Sequence, residues 1–512
     1  MNRRQLLKTM SNAAAGALVL NASKGFALPF SDKTSRFAAN DNQLAFAGAL
    51  ADNDKLIAFA NVEQNFSPTQ LTIEGNLPKD LHGTFYRNGP AKHERANIRY
   101  QHLFEGDGMI QQYKIADGKI HHQGKFVNSA KFQQEEKAQR FIYPGPDTQV
   151  PNALSVLSPD TINTANTSII SVGDDLWALW EAGSATKVDA NTLTTKGLVS
   201  LGQGSNYGEQ LNGLPFSAHP KQEANGDIWN FGFIPNGQVV LYHLNKNGIT
   251  KNVKLINSRY QGRMLHDFLI TSKHILLILP SLKHNGDQEH LFGGISFDKT
   301  QPMRVLIIDK QTLSIMKEVE LPPAFVFHFG NAWERNDGTI HFDASLYNNV
   351  DILHHLANVM RGEQLEKPKD MMATPVLFTI KPNGSVEQHA FAGSSEFPKV
   401  HDHLVGLRNQ HLFYISSQAD SLWNDTVTRL NTETGKQESY FYGNDFLIEE
   451  HVNICPQQKA GTGYLIGTAL HVPSKRTCLN VFKEDRITDG PIARAWLSHH
   501  LPLGFHGHFV AS

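Results

Sequence analysis

The sequence predicts an all-β fold in which short sheets repeat radially as a propeller, and three observations predict it. First, tight-turn dipeptides recur along the chain: Asp117-Gly118, Asn212-Gly213, Asn225-Gly226, Asn236-Gly237, Asn247-Gly248, Asn285-Gly286, Asp337-Gly338 and Asn383-Gly384. Each has the composition of a hairpin turn. Second, the stretches Ile228–Phe233, Val239–Leu244, Ile275–Leu279, Val305–Ile308, Val376–Ile380, Leu412–Ser416 and Tyr464–Leu470 are rich in β-branched and aromatic residues, as strands prefer. Third, helical periodicity is scarce. Its clearest instance is Asp351–Leu365, where Ile352, Leu353, Leu356, Val359 and Met360 form one stripe. Many short strands in a chain of 512 residues leave many sheet edges to protect, and radial repetition protects them better than one open sheet. Neither a WD nor a Kelch repeat signature is present. No Pro/Ser-rich linker divides the chain, so residues 28–512 are expected to form a single domain.

The amino-terminal residues have a different character. Arg3-Arg4 and Leu6-Leu7-Lys8 precede a short apolar run, Ala13–Leu20, too short to cross a hydrocarbon core that needs ~20 residues. Small residues at Gly25 and Ala27 suit a signal-peptidase site after residue 27. The arginine pair resembles a twin-arginine signal, although Asn2 and Leu6 stand where such signals usually carry Ser or Thr and Phe. Residues 1–27 are therefore expected to be a twin-arginine export signal, with an ordinary Sec signal as the alternative. Periplasmic or exported protein follows. The twin-arginine route carries folded proteins, so a cofactor can be loaded before export. No other window approaches ~18 uninterrupted apolar residues, and no transmembrane helix is expected.

Composition excludes several classes. Lys+Arg 47 against Asp+Glu 49 gives a formal net charge of −2, with none of the basic excess that nucleic-acid binding needs. A 40% hydrophobic, 19% charged chain fits a globular protein with a large core. Only Cys455 and Cys478 are present, so a disulfide framework or Cys-rich zinc module is excluded. They form either one disulfide or two structural thiols. Histidine, at 25 residues, is in excess, and it is the commonest metal ligand.

Familiar catalytic signatures are absent: no HExxH, GxSxG, GxxxxGK[ST] or CxxC occurs. What remains are dispersed histidines in distinctive surroundings: His219 in PFSAHPKQEANGDIWNFGF, His266 in RMLHDFLIT, His328 in FVFHFGNAWE and His506 in LPLGFHGHFV. Each adjoins an apolar segment that should be buried. Singly, each reads as an ordinary core histidine. The doublets His121-His122, His354-His355 and His499-His500 read as solvated faces, and His508 competes with His506.

Together with FYRNGP (Phe85–Pro90), HLFEGDGMI (His102–Ile110), ANT (Ala165–Thr167), LWALWEAG (Leu176–Gly183) and SEFPKV (Ser395–Val400), these segments resemble the carotenoid cleavage oxygenase family, in the family's order and from about Leu71 to Val510. The resemblance implies a seven-bladed β-propeller, with a loop and helix cap over one axial non-haem Fe(II) per chain. It implies His219, His266, His328 and His506 as the iron ligands. Neutral imidazoles suit Fe(II), and four of them leave positions open for dioxygen. Three glutamates orient ligand histidines in the family, and the matching positions are Glu181, Glu396 and Glu450, a role that fixes tautomer and ring orientation. At the third position His451 replaces the usual Pro, and Glu449 is an alternative. Thr167 matches a threonine beside a vacant iron position.

The implied activity is cleavage of a conjugated carbon–carbon double bond by dioxygen, giving two carbonyl products from an apolar carotenoid or apocarotenoid in a tunnel above the iron. A phenolic stilbene is the second substrate class, for which the family uses a Lys and a Tyr as a phenol clamp. Lys131, in NSAKF, and Tyr100, before QHLF, are the candidates. The spacing is not a close match, and Lys131 reads rather as part of a solvated charged surface with Gln134, Glu135, Glu136 and Lys137, so carotenoid-type substrates lead. Non-oxidative retinoid ester cleavage and isomerisation is another family reaction, and a propeller acting only as a binding module is the non-enzymatic alternative. Peripheral membrane contact is compatible with an apolar substrate. The export reading is checked directly: lysine at both Arg3 and Arg4 is expected to trap precursor in the cytoplasm, whereas unchanged export would point to the Sec route.

Overall fold

The computed structural model describes residues 39–287, 289–417, 421–455 and 462–512. The expected signal at residues 1–27 lies outside these residues. Among the described residues the strands form seven sheets of four or five strands and two two-stranded ribbons. The seven sheets are the blades of a propeller. Strands at the ends of neighbouring sheets touch one another around a ring, which makes them the inner strands.

Blade 1 holds Phe66–Gln70, Gly83–Lys92, Asp107–Ala116, Lys119–Phe126 and, innermost, the carboxyl-terminal strand Gly507–Ala511. Blades 2, 3 and 4 begin innermost at Ser168–Val172, Lys221–Gln222 and Leu269–Ile270; blades 2 and 3 are continuous in sequence, and the ribbon Leu282–His284 with Ile295–Phe297 is inserted within blade 4. In blade 5 the short strands Phe325–Val326 and Ala332–Glu334 both pair with Ile340–Tyr347. Blade 6 begins at Glu396–Lys399 and blade 7 at Phe446–Ile454. The early strand Thr72–Gly75 closes blade 7 by pairing with Ala493–Trp496. The ring is thus closed twice, by the last strand in blade 1 and by an early strand in blade 7. Such closure protects the edges that an open sheet would expose.

Local sequence explains most elements. The strand runs read from composition fall inside Ile228–Ile234, Gln238–Leu244, His274–Leu279, Met303–Asp309, Thr374–Ile380, His411–Ser416 and Tyr464–His471. Asp117-Gly118 turns between paired strands with φ of 52° and 69°, as a type I′ hairpin requires. Two of the dipeptides do not make tight hairpins. Asn212-Gly213 follows a 3-10 turn and precedes Pro215, which has no N–H for a ladder. Asn285-Gly286 opens a long connection between Leu282–His284 and Ile295–Phe297. The expected helix Asp351–Leu365 is shorter, Asp351–Met360. Gly362, at φ 74°, stops it. Its N–H donates to Val359 O at 3.0 Å and that of Glu363 to Asn358 O at 2.9 Å, the paired bonds of a Schellman cap.

The apolar runs are continuous because both faces of a blade are covered. In His274–Leu279, Ile275, Leu277 and Leu279 join the large central cluster, while Leu276 and Ile278 pack towards Ile340, Phe342 and Phe378 of blade 5. No disulfide joins the two cysteines; Cys478 is buried and Cys455 half-buried. No described helix is long and apolar enough to cross a membrane. Because consecutive residues face two separate cores, Leu276→Ala and Leu277→Ala are each expected to cost ~2–5 kcal/mol, measured by chemical unfolding. A sheet with one wet face would make one of the two nearly neutral.

Candidate metal centre

Each of the seven blades delivers one polar residue from its inner strand, or from the residues next to it. Thr167, His219, His266 and His506 immediately precede or lie close before the inner strands of blades 2, 3, 4 and 1. His328 lies between the two short strands of blade 5, Glu396 opens blade 6 and Glu450 lies within the inner strand of blade 7.

The four histidines meet. Each offers a nitrogen, these lie within 4.8 Å of one another, and all four residues are buried. It is the only such group among the described residues. His266 Nε2 lies 2.9 Å from His219 Nε2 and 3.2 Å from His328 Nε2. The opposite ring nitrogens face carboxylates. His328 Nδ1 donates to Glu396 Oε2 at 2.5 Å, and His506 Nδ1 to Glu450 Oε1 at 2.9 Å. His266 Nδ1 lies 3.2 Å from Glu181 Oε1. A neutral imidazole that donates from Nδ1 presents a lone pair at Nε2. Converging lone pairs repel unless a cation sits among them, so this donor set fits a transition metal that takes imidazole.

Electrostatics favour the neutral ring at two of the histidines and the ionised form of two of the glutamates. Burial, with the neighbouring histidines, holds His219 well below the usual range. Burial also pushes His506 down to about 3, with Glu450 opposing only in part. Burial lowers His266 too, but the adjacent Glu181 outweighs it and the net shift is upward. Burial alone would raise both buried glutamates. His328 and Tyr347 instead hold Glu396 below its ordinary value, and Lys399 and His506 do the same for Glu450. Both are therefore carboxylates that can only accept.

The two ambiguities in the sequence are resolved by contacts. Glu450 accepts from His506 and, at 2.6 Å, from Gly507 N. Glu449 instead pairs with Arg87 at 3.0 Å and accepts from Thr468 and Gly504. The strand register shifts between Ile448 and His451; such a bulge re-aims adjacent side chains, and both glutamates end up buried. His508 is turned to Ser171, 2.9 Å from its Oγ.

A cavity of about 450 Å³ opens beside the histidines, within the ~300–1,000 Å³ of small-molecule sites. His266, His328, His506 and Thr167 line it, with apolar walls that include Phe104, Phe327, Trp423 and Phe505. The Thr167 hydroxyl donates to Asn166 Oδ1 at 3.0 Å. Helix Asp351–Met360 covers part of the cavity through Ile352, His355 and Leu356.

Comparison with known proteins identifies the family and the fold. Residues 59–511 match the sequence model of a family described as retinal pigment epithelial membrane protein. The chain belongs to this family, the carotenoid cleavage oxygenases. Among its relatives is apocarotenoid-15,15'-oxygenase of Synechocystis sp., 28% identical, with 85% of this chain and 91% of that protein aligned. Lignostilbene-alpha,beta-dioxygenase isozyme III of Sphingomonas paucimobilis is 25% identical, over 86% of this chain and 93% of its own. A crystal structure of cobalt-substituted Synechocystis ACO superposes with a TM-score of 0.79 at 26% identity, covering 90% of this chain and 98% of that one. Family and seven-bladed fold therefore agree with the resemblance carried by the sequence motifs.

Within this family member, the structure does not bring Tyr100 and Lys131 to the cavity. Lys131 is not a solvated residue either: it is 2% exposed. On helix Ala130–Ala138 it shares an inward stripe with Glu135, and its ammonium binds Asp107 at 2.7 Å and Glu135 at 2.8 Å. Charge density along the sequence looked like surface because Gln133, Gln134 and Lys137 on the same helix are exposed. Tyr100 is buried against Phe141 and lies 5.3 Å below the Lys131 ammonium. Two histidines read as solvated are also buried, His122 and His355.

Sequence reasoning missed several residues at the site. Tyr347 donates to Glu396 Oε1 at 2.5 Å, and Phe397 stacks on His328 with a centroid separation of 4.8 Å. Phe397 adopts φ 50°, uncommon for a bulky residue and invisible in composition. His355 had a readable signal: it falls three residues after Ile352, on the apolar stripe of its helix.

Glu396→Gln and Glu450→Gln are expected to keep the fold and lower metal affinity ~10–100-fold, measured by chelator competition with circular dichroism as the control. Glu181→Gln is expected to do least, since its side chain is 31% exposed and its Oε1 makes no well-aligned hydrogen bond. Unchanged affinity in all three would show that these carboxylates do not orient the histidines.

Proposed function

We propose that this protein is a non-haem Fe(II) dioxygenase that cleaves a conjugated C=C bond of a carotenoid or apocarotenoid. The observation that carries the reading is the set of four imidazole lone pairs converging beside an apolar cavity. A propeller acting only as a binding module has no use for that convergence. The relative named apocarotenoid-15,15'-oxygenase supports the substrate class, and the cobalt-substituted relative supports a transition metal in this fold.

His219, His266, His328 and His506 would hold the iron, and Glu181, Glu396 and Glu450 set the orientation of three of those rings. When bound there, Fe(II) supplies the activation of dioxygen towards an olefin. Both oxygen atoms enter the products: one alkene and one dioxygen give two carbonyl compounds. The aromatic walls hold the conjugated chain by apolar contact and keep water from the reacting bond. Thr167, with its hydroxyl committed to Asn166, narrows the space on one side of the histidines. Leu157, which lines the cavity and is 71% exposed, suits entry of an apolar substrate from a membrane surface contacted peripherally. Export to the periplasm by the twin-arginine route accords with loading the metal before transport.

A phenolic stilbene is the second reading, favoured by the relative named lignostilbene-alpha,beta-dioxygenase. In it, Tyr100 and Lys131 are not the phenol clamp, because neither lines the cavity.

The test is oxygen uptake by iron-loaded protein with an apocarotenoid and with a hydroxystilbene, under labelled dioxygen. One labelled oxygen atom is expected in each of two carbonyl products, and His→Ala at any of the four positions is expected to abolish uptake. Protein that carries stoichiometric zinc, and consumes no oxygen after iron reconstitution, would overturn the reading.

A further inference from the structure

The described residues include four buried lysines: Lys92, Lys131, Lys310 and Lys367. Three are compensated. Lys92 pairs with Glu63 and Glu136, Lys131 with Asp107 and Glu135, and Lys310 with Glu223. Lys367 differs. It is 8% exposed and lines the same apolar cavity as the histidines, and its ammonium has no hydrogen-bond or ion-pair partner among the described residues. Glu396 and Asp425 act on it through their charge, but neither forms an ion pair with it. Glu396 is already engaged by His328, Tyr347 and Phe397 N.

A buried ammonium without a partner is costly, and natural structures pair such groups. Here the unpaired one borders a cavity in which a partner could arrive from outside the chain. The cavity is also lined by apolar side chains such as Ile352, Leu356 and Leu422, which suit a hydrocarbon but give no group for its oxygen; the other cation in its lining, Arg263, is half-buried rather than buried.

We propose that Lys367 anchors an oxygen-bearing end of the substrate, donating to a carbonyl, carboxylate or phenolate oxygen while the conjugated chain extends towards the histidines. Lys367 is then a specificity-determining residue: fixing one end of an extended molecule selects which double bond lies beside the metal. The ligand's identity as a conjugated oxygenated hydrocarbon rests on the oxygenase reading. The presence of an unpaired cation in the cavity wall does not.

The experiment is a binding titration with whole protein, followed by quenching of tryptophan fluorescence, since Trp180 and Trp423 line the cavity. The probes are an apocarotenal, the corresponding apocarotenoic acid, 4-hydroxystilbene, and an oxygen-free polyene of matched length. Lys367→Met is expected to weaken the oxygenated probes of one class about ten- to a hundredfold, the usual worth of a hydrogen bond to a charged group. It should leave the oxygen-free polyene unchanged or tighter. Lys367→Arg should retain most of the binding. Which oxygenated probe responds separates the apocarotenoid source of the oxygen from the phenolic one. Thermal unfolding of Lys367→Met gives the second readout. Removing a buried charge that no ion pair or hydrogen bond holds should leave the melting temperature equal or higher, whereas a structural lysine would lower it. Equal weakening of all probes, no weakening of any, or a large loss of stability would overturn the proposal. Failure of wild-type protein to consume oxygen would overturn the oxygenase reading alone, because the titration needs no turnover.

Discussion

Four nitrogen lone pairs pointed into one small volume repel one another, and the architecture is arranged around holding them there. This chain draws His219 and His506, 287 residues apart, to the same point. It can do so because the propeller is closed by its last strand, which sits innermost in blade 1 and begins directly after His506. Ring closure and completion of the donor set are therefore the same event. Either without the other would leave an edge strand exposed or a histidine missing.

Holding the rings is a matter of charge as much as of packing. Glu396 and Glu450 lie where burial opposes ionisation, and they remain carboxylates because several donors face them at once. The same device recurs away from the centre, where Arg87 meets Glu449 and Lys131 meets Asp107 and Glu135. These pairs are strong constraints on geometry, since removal of either partner strands a buried charge. The cavity breaks that pattern. Its walls are mostly apolar, with a few polar side chains such as Arg263 and Asn424 among them, the histidine cluster lies at one side, and Lys367 stands in it without an ion-pair partner among the described residues. A site of this composition selects for shape and for the position of one oxygen, more than for overall polarity.

Much of this was legible in the chain. Strand runs such as Ile275–Leu279 and Val239–Leu244 announce themselves by β-branched content, and the turn at Asp117-Gly118 by its need for positive φ. The four histidine segments and the glutamates of LWEAG and SEFP carry a family pattern, which local sequence retains. The limit of local reading appears at Asn212-Gly213, where the turn chemistry is right but the strands that would make a hairpin are absent.

By itself, then, the sequence determined the all-β class, the family and the identity of the residues that meet at the axis, because these depend on local propensity and on motifs short enough to read in one place. Only the tertiary structure decided between Glu449 and Glu450, since a strand bulge turns both inward and distance to His506 separates them. Only it showed that Lys131 is buried in an ion-paired cluster while Lys367 faces the cavity. Both lie in charged, unremarkable sequence, and whether a lysine meets water, a carboxylate or a cavity depends on segments far away in the chain.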